Sequence, residues 1–74
     1  MNITDLERII KSVLQNRGKE LPNLITNETR MREDLGMDSL DLAELTVKIE
    51  AEYDIDIFAD GLVNTAGEIL KKFE

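Results

Sequence analysis

Asp34-Leu35-Gly36-Met37-Asp38-Ser39-Leu40-Asp41-Leu42 is the stretch from which the rest of the chain can be laid out. Immediately before it, from Gly18 onward, glycine, proline and asparagine leave no sustained period. After it, Leu42, Leu45, Ile49 and Tyr53 fall within one narrow sector at about 100° per residue, the spacing of a buried helix face. The stretch therefore ends a loop and opens helix two, expected from about Ser39 to Tyr53. Asp38 stands just before the apolar period, where an N-cap belongs, and Asp41 then occupies the third helical position. Ser39 is left in the first turn without a capping task. Its hydroxyl has no imidazole to activate it, because the chain has no histidine. A helix N-terminus does favour an attached phosphate, since its unpaired N–H groups and macrodipole attract negative charge. An Asp-Ser pair before an apolar run is also a common helix start, so capping alone accounts for these two residues.

Outward from this point the other elements follow. Ile3, Leu6, Ile9, Ile10, Val13 and Leu14 form the stripe of helix one, with Thr4 and Glu7 as its expected capping box and Gly18 as its end. Residues 18–37 read as a long loop held down by Leu21, Leu24, Ile25, Met31 and Leu35. Asp54-Ile55-Asp56-Ile57-Phe58 alternates like a strand but has no partner strand. It is expected to be an extended link into a short helical turn near Phe58 to Leu62, weakened by Gly61. Thr65-Ala66-Gly67-Glu68 is a second capping-box pattern, leading into Ile69, Leu70 and Phe73 with Lys71 and Lys72 in the last turn. The expected fold is all-α: a four-helix bundle with three longer helices, a short third helix and a long loop between helices one and two, forming one domain over residues 1–74.

Composition narrows the function. A chain of 74 residues buries only about 60% of its unfolded surface, and without cysteine it has neither a disulfide nor a thiolate metal site. Residues 1–32 hold six basic and four acidic side chains, residues 33–74 three basic and twelve acidic, so the net charge of −7 arises in the second part. Such a field disfavours nucleic acid and suits basic patches on protein partners, although acidic residues also simply keep small helical proteins soluble. No apolar run reaches the roughly 20 residues of a membrane span, and the start lacks a signal peptide. Met1 opens directly into the helical pattern and Glu74 closes the last helix. A free-standing, monomeric, cytoplasmic protein is expected. Asp54, Asp56 and Asp60 lie in a short polar connection and read as solvating groups, so no catalytic residue and no dedicated metal site is assigned.

The nine-residue stretch resembles the phosphopantetheine attachment motif of acyl carrier proteins, commonly Asp-Leu-Gly-x-Asp-Ser-Leu, and length, acidity, the long first loop and the motif's place at helix two agree with that family over nearly the whole chain. The resemblance implies that Ser39 receives 4′-phosphopantetheine from coenzyme A through a phosphopantetheinyl transferase. The thiol of that arm would carry an acyl group as a thioester between acyl-loading and acyl-using enzymes, and the protein itself would not be an enzyme. It also implies a docking face on helix two for basic partner surfaces, with Asp38, Asp41, Glu44 and Glu50 as its acidic positions and Leu40, Ala43 and Val47 as its apolar ones. The last three form a second apolar stripe about 130° round from the core sector, which a helix with one buried face does not need. Burial of Leu40 and Ala43 against the first loop is the alternative.

The chain departs from the family pattern at Lys48 and Ala51, where small or acidic residues are usual, and at Phe58, where proline is usual. The segment from Phe58 to Thr65 is about two residues short, and Arg30 and Arg32 add positive charge before the motif. These departures lean toward a specialised fatty-acid, lipid or secondary-metabolite pathway. The same chemistry would serve an aminoacyl, peptidyl or D-alanyl carrier, and an unmodified helical interaction module is the reading from another class.

Overall fold

The structure is a computed structural model that describes residues 1–74. Three helices make up the regular structure: α1 (Ile3–Asn16), α2 (Ser39–Tyr53) and α3 (Ala66–Lys71). There is no strand, only an isolated antiparallel bridge between Arg30 and Thr65. No helix is long and apolar enough to cross a membrane.

The apolar stripe of α1 is buried as its spacing predicts, with Leu6, Ile10, Val13 and Leu14 fully enclosed, and it meets Leu42, Leu45 and Ile49 of α2 and Ala66 and Ile69 of α3. The start of α1 differs from expectation. Asn2, not Thr4, is the N-cap: its side chain accepts from the Asp5 N–H at 2.8 Å, and asparagine serves that position at least as well as threonine. At the other end, Gly18 N–H donates to Gln15 O at 3.1 Å and Lys19 N–H to Leu14 O at 2.9 Å, the paired bonds of a Schellman ending. That ending directs Arg17 and Lys19 toward the first turn of α2.

The long loop is held by fewer residues than expected. Ile25, Met31 and Met37 are buried, Leu35 is half-buried, but Leu21 and Leu24 lie on the surface. Polar bonds do the rest. Met31 N–H donates to Asn64 O at 2.7 Å and Ala66 N–H to Thr29 O at 2.9 Å, fastening the loop to the start of α3. Asp34 N–H to Arg30 O and Gly36 N–H to Arg32 O, both 3.0 Å, coil residues 30–36 into consecutive turns immediately before α2.

The short third helix expected near Phe58 to Leu62 is two overlapping turns, with Ala59 N–H on Asp56 O and Gly61 N–H on Phe58 O, both at 3.2 Å. Two local features oppose a helix there. The Asp56 side chain accepts from the Phe58 N–H at 2.9 Å, an Asx turn that competes with helical bonding, and Gly61 has a φ of 130°, outside any helix. The final helix forms as its capping box predicts: Thr65 Oγ1 accepts from Glu68 N–H at 3.1 Å while Glu68 Oε1 accepts from Thr65 N–H at 2.8 Å. Tyr53 and Phe73 meet edge to face at 5.3 Å and join the end of α2 to the end of the chain.

Candidate functional site

Ser39 is the first residue of α2 and is exposed. Asp38 is the N-cap, accepting from Asp41 N–H at 3.0 Å, and Asp41 returns the bond by accepting from Asp38 N–H at 3.0 Å. This reciprocal box satisfies the helix start without the serine, whose hydroxyl bonds to no protein group. The N–H groups of Ser39 and Leu40 likewise find no protein acceptor. A negative group at Ser39 would therefore meet two open donors at the positive end of a 15-residue helix.

Asp41 requires a correction. Expected on the acidic docking face, it is fully buried. Arg17 Nε donates to its Oδ1 at 2.8 Å, Lys19 bonds to its Oδ2, and Lys19 also donates to the Gly36 carbonyl at 2.9 Å. Burial alone would raise the carboxyl pKa, but the bonds from Lys19, Asp38 N–H and Arg17 bring it below the ordinary carboxylate value. The end of α1 thus clamps the motif's glycine and the first turn of α2 together, which fixes where Ser39 projects. A position defined by pairs 22 and 24 residues apart leaves no local signal in the sequence.

The other expected docking residues divide. Leu40 and Val47 keep 64% and 67% of their surface exposed, and Ala43 is exposed as well, so the first loop does not cover this stripe. Glu50 is exposed; Glu44 is half-buried and accepts from Asn16 Nδ2 at 3.2 Å. Asp38 is exposed, yet Lys19 and Arg17 stand 3.8 and 3.9 Å from it and take up part of its field. Lys48 and Ala51 line a groove between α1 and α2 with Arg8, Ile9, Ser12 and Glu52, away from Ser39. Arg30 pairs with Asp34 at 3.1 Å and holds that carboxyl below its usual range.

Beside Ser39 lies a shallow depression of about 200 Å³ lined by Arg32, Leu42, Ala43, Thr46, Phe58 and Leu62. Leu62, 87% exposed, extends the apolar stripe across from α2 to the turn after it. Sequence periodicity did not single it out, because an isolated leucine in an irregular segment has no period to belong to. Thr46 adds no free donor, since its hydroxyl bonds to Leu42 O at 2.8 Å. No group of three His, Cys, Asp or Glu side chains converges as a metal site.

Residues 4–71 match the family described as phosphopantetheine attachment site. Acyl carrier proteins of Rickettsia massiliae (strain Mtu5) and Rickettsia africae (strain ESF-5) are each 37% identical to the chain over 75 residues, covering 96% of it and 86% of their own length. That of Rickettsia bellii (strain RML369-C) is 37% identical over 51 residues, 69% of this chain and 58% of its own. No solved structure matches the chain.

Proposed function

Since the chain belongs to the acyl carrier protein family, whose domain is the attachment site of phosphopantetheine, we propose that Ser39 is the residue that bears this group. One observation carries the reading: the Ser39 hydroxyl is exposed and bonded to nothing, because Asp38 and Asp41 cap the helix between them. Esterifying it costs the fold no hydrogen bond. The residues fit the group, with the free N–H groups of Ser39 and Leu40 next to the new negative charge and an apolar depression beside it. In the attachment step Ser39 Oγ bonds to the phosphorus on the pantetheine side of coenzyme A. The pyrophosphate linkage breaks, the adenosine bisphosphate leaves, and the hydroxyl proton passes to the transferase. The attached group supplies a terminal thiol, able to hold an acyl chain as a thioester, in a chain that has no cysteine.

Docking to the phosphopantetheinyl transferase and to acyl-loading and acyl-using enzymes is assigned to Leu40, Ala43 and Val47 flanked by Asp38, Glu44 and Glu50, with Leu62 added from the following turn. Exposed apolar groups among carboxylates suit brief encounters with basic surfaces. The cargo is assigned to a specialised fatty-acid, lipid or secondary-metabolite pathway in the cytoplasm. The specialised cargo is supported by the departures from the family pattern at Lys48, Ala51 and Phe58, of which Phe58 lines the depression together with Arg32. Incubation with coenzyme A, magnesium and a broad-specificity phosphopantetheinyl transferase, followed by intact-mass analysis, tests the attachment. The wild type gains one phosphopantetheine and Ser39→Ala gains none; an unchanged wild-type mass refutes the reading. Long saturated chains as the sole thioester recovered from cells would refute the specialised cargo alone.

A further inference from the structure

Of the four arginines, Arg8, Arg17 and Arg30 each pair with a carboxylate at 3.2, 2.8 and 3.1 Å, and Arg32 pairs with none. A guanidinium left unpaired is notable in a chain with sixteen carboxylate side chains and a net charge of −7. Its backbone is not free to wander: Arg32 N–H donates to Asn64 Oδ1 at 3.3 Å and its carbonyl accepts from Gly36 N–H at 3.0 Å. Arg32 thus lines, from an anchored turn, the depression that Ser39, Phe58 and Leu62 also line. Arg17 and Lys19, the other cations near the start of α2, are engaged by Asp41.

We propose that Arg32 is the counter-ion of the phosphodiester carried on Ser39, and that by holding it Arg32 turns the arm over the depression toward Phe58 and Leu62. The proposal rests on Ser39 being the attachment point. A guanidinium matches a phosphate with two parallel charge-assisted hydrogen bonds, a geometry that lysine lacks. Because the pair is exposed, it is weakened by salt.

The test uses ¹⁵N-labelled wild type, Arg32→Gln and Arg32→Lys, each before and after loading from coenzyme A. On loading, the Arg32 Nε–Hε resonance of the wild type moves while that of Arg30, already paired with Asp34, stays. The ³¹P resonance of the loaded wild type differs from that of Arg32→Gln, and the two converge at about 1 M salt, where the screening length is about 3 Å. Arm-to-Phe58 and arm-to-Leu62 proton contacts are lost in Arg32→Gln and weakened in Arg32→Lys. If Arg32→Gln does not fold, the wild-type Nε–Hε shift decides by itself. A mass gain on loading with an unmoved Arg32 resonance overturns this assignment and leaves Ser39 standing. No mass gain overturns both.

Discussion

Arg17 Nε donates to Asp41 Oδ1 over 2.8 Å, although the carboxylate has no exposed surface and lies 24 residues further along the chain. A buried carboxylate is costly unless each lone pair finds a donor. Here Arg17, Lys19 and the Asp38 N–H all donate to it, so the charge is retained and welds the end of α1 to the start of α2.

Breaking that weld leaves two cations and a backbone N–H without their acceptor. Asp41→Ala is expected to lose about 2–4 kcal/mol of unfolding free energy, below the deepest buried pairs because Arg17 and Lys19 keep about a third of their side-chain surface in water. Urea denaturation measures it. A loss below about 0.5 kcal/mol, the range of ordinary surface substitutions, would mean that the pairs are not formed in solution.

The same pairs predict a pH dependence with a definite sign. Burial pushes the Asp41 carboxyl up, but bonds from Lys19, Asp38 N–H and Arg17 outweigh it and hold its folded pKa below the ordinary carboxylate value. The folded chain thus holds this proton less tightly than the unfolded chain. The stabilisation is complete above the unfolded carboxylate range and is lost as pH falls through the folded value. Unfolding free energies of wild type and Asp41→Asn should run parallel near neutrality and converge below about pH 4. A gap that stays constant down to acid unfolding contradicts the pairing.

Leu40 and Val47 give the opposite combination. Their exposure means that Leu40→Ala and Val47→Ala change stability by no more than about 0.5 kcal/mol. If the stripe docks the transferase, each lowers kcat/KM for loading, mainly through KM, by up to about tenfold, which is 1.4 kcal/mol of interface contact. Steady-state loading kinetics beside a thermal melt separate the two effects. Unchanged kinetics for both variants would remove the stripe from the docking face.

How much of this was legible depended on whether the deciding interactions were local. The Asp38–Asp41 box, the Thr65–Glu68 box and the α1 and α2 core stripes each lie within one element, and the pattern of residues was enough to place them. Asn2 takes the cap in place of Thr4 through a bond from the Asp5 N–H, which asparagine accepts at least as well as threonine would two residues later. Phe58 to Leu62 is expected to form a short helical turn weakened by Gly61, and the Asp56 side chain and the conformation of Gly61 turn it into successive turns. Asp41 was misplaced for a different reason. Its i, i+3 neighbour predicted the cap, whereas its burial depends on Arg17 and Lys19, whose approach is set by the ending of α1. Leu21 and Leu24 are apolar enough to suggest anchors, yet Ile25, Met31, Met37 and backbone bonds involving Asn64 and Ala66 hold the loop.

That loop attachment makes Gly67 an instructive substitution. A glycine within a helix ordinarily costs about 0.5–1 kcal/mol relative to alanine, so Gly67→Ala would be expected to stabilise α3. A Cβ on Gly67, however, would stand 3.0 Å from the Asn27 carbonyl oxygen and 3.3 Å from the Asn27 Cβ. The oxygen cannot simply retreat, because it accepts the Gly67 N–H at 2.8 Å. The added methyl must therefore push the loop from α3 or strain that bond, at a cost of about 1–3 kcal/mol that outweighs the helical gain. Gly67→Ala should be less stable than wild type, with faster amide exchange at Met31 and Ala66, whose bonds fasten the same loop. Loading at Ser39 should continue, since the clamp on α2 comes from α1. A stabilised Gly67→Ala would show that the loop yields freely and that the Arg30–Thr65 bridge, not the close approach at Gly67, holds it in place.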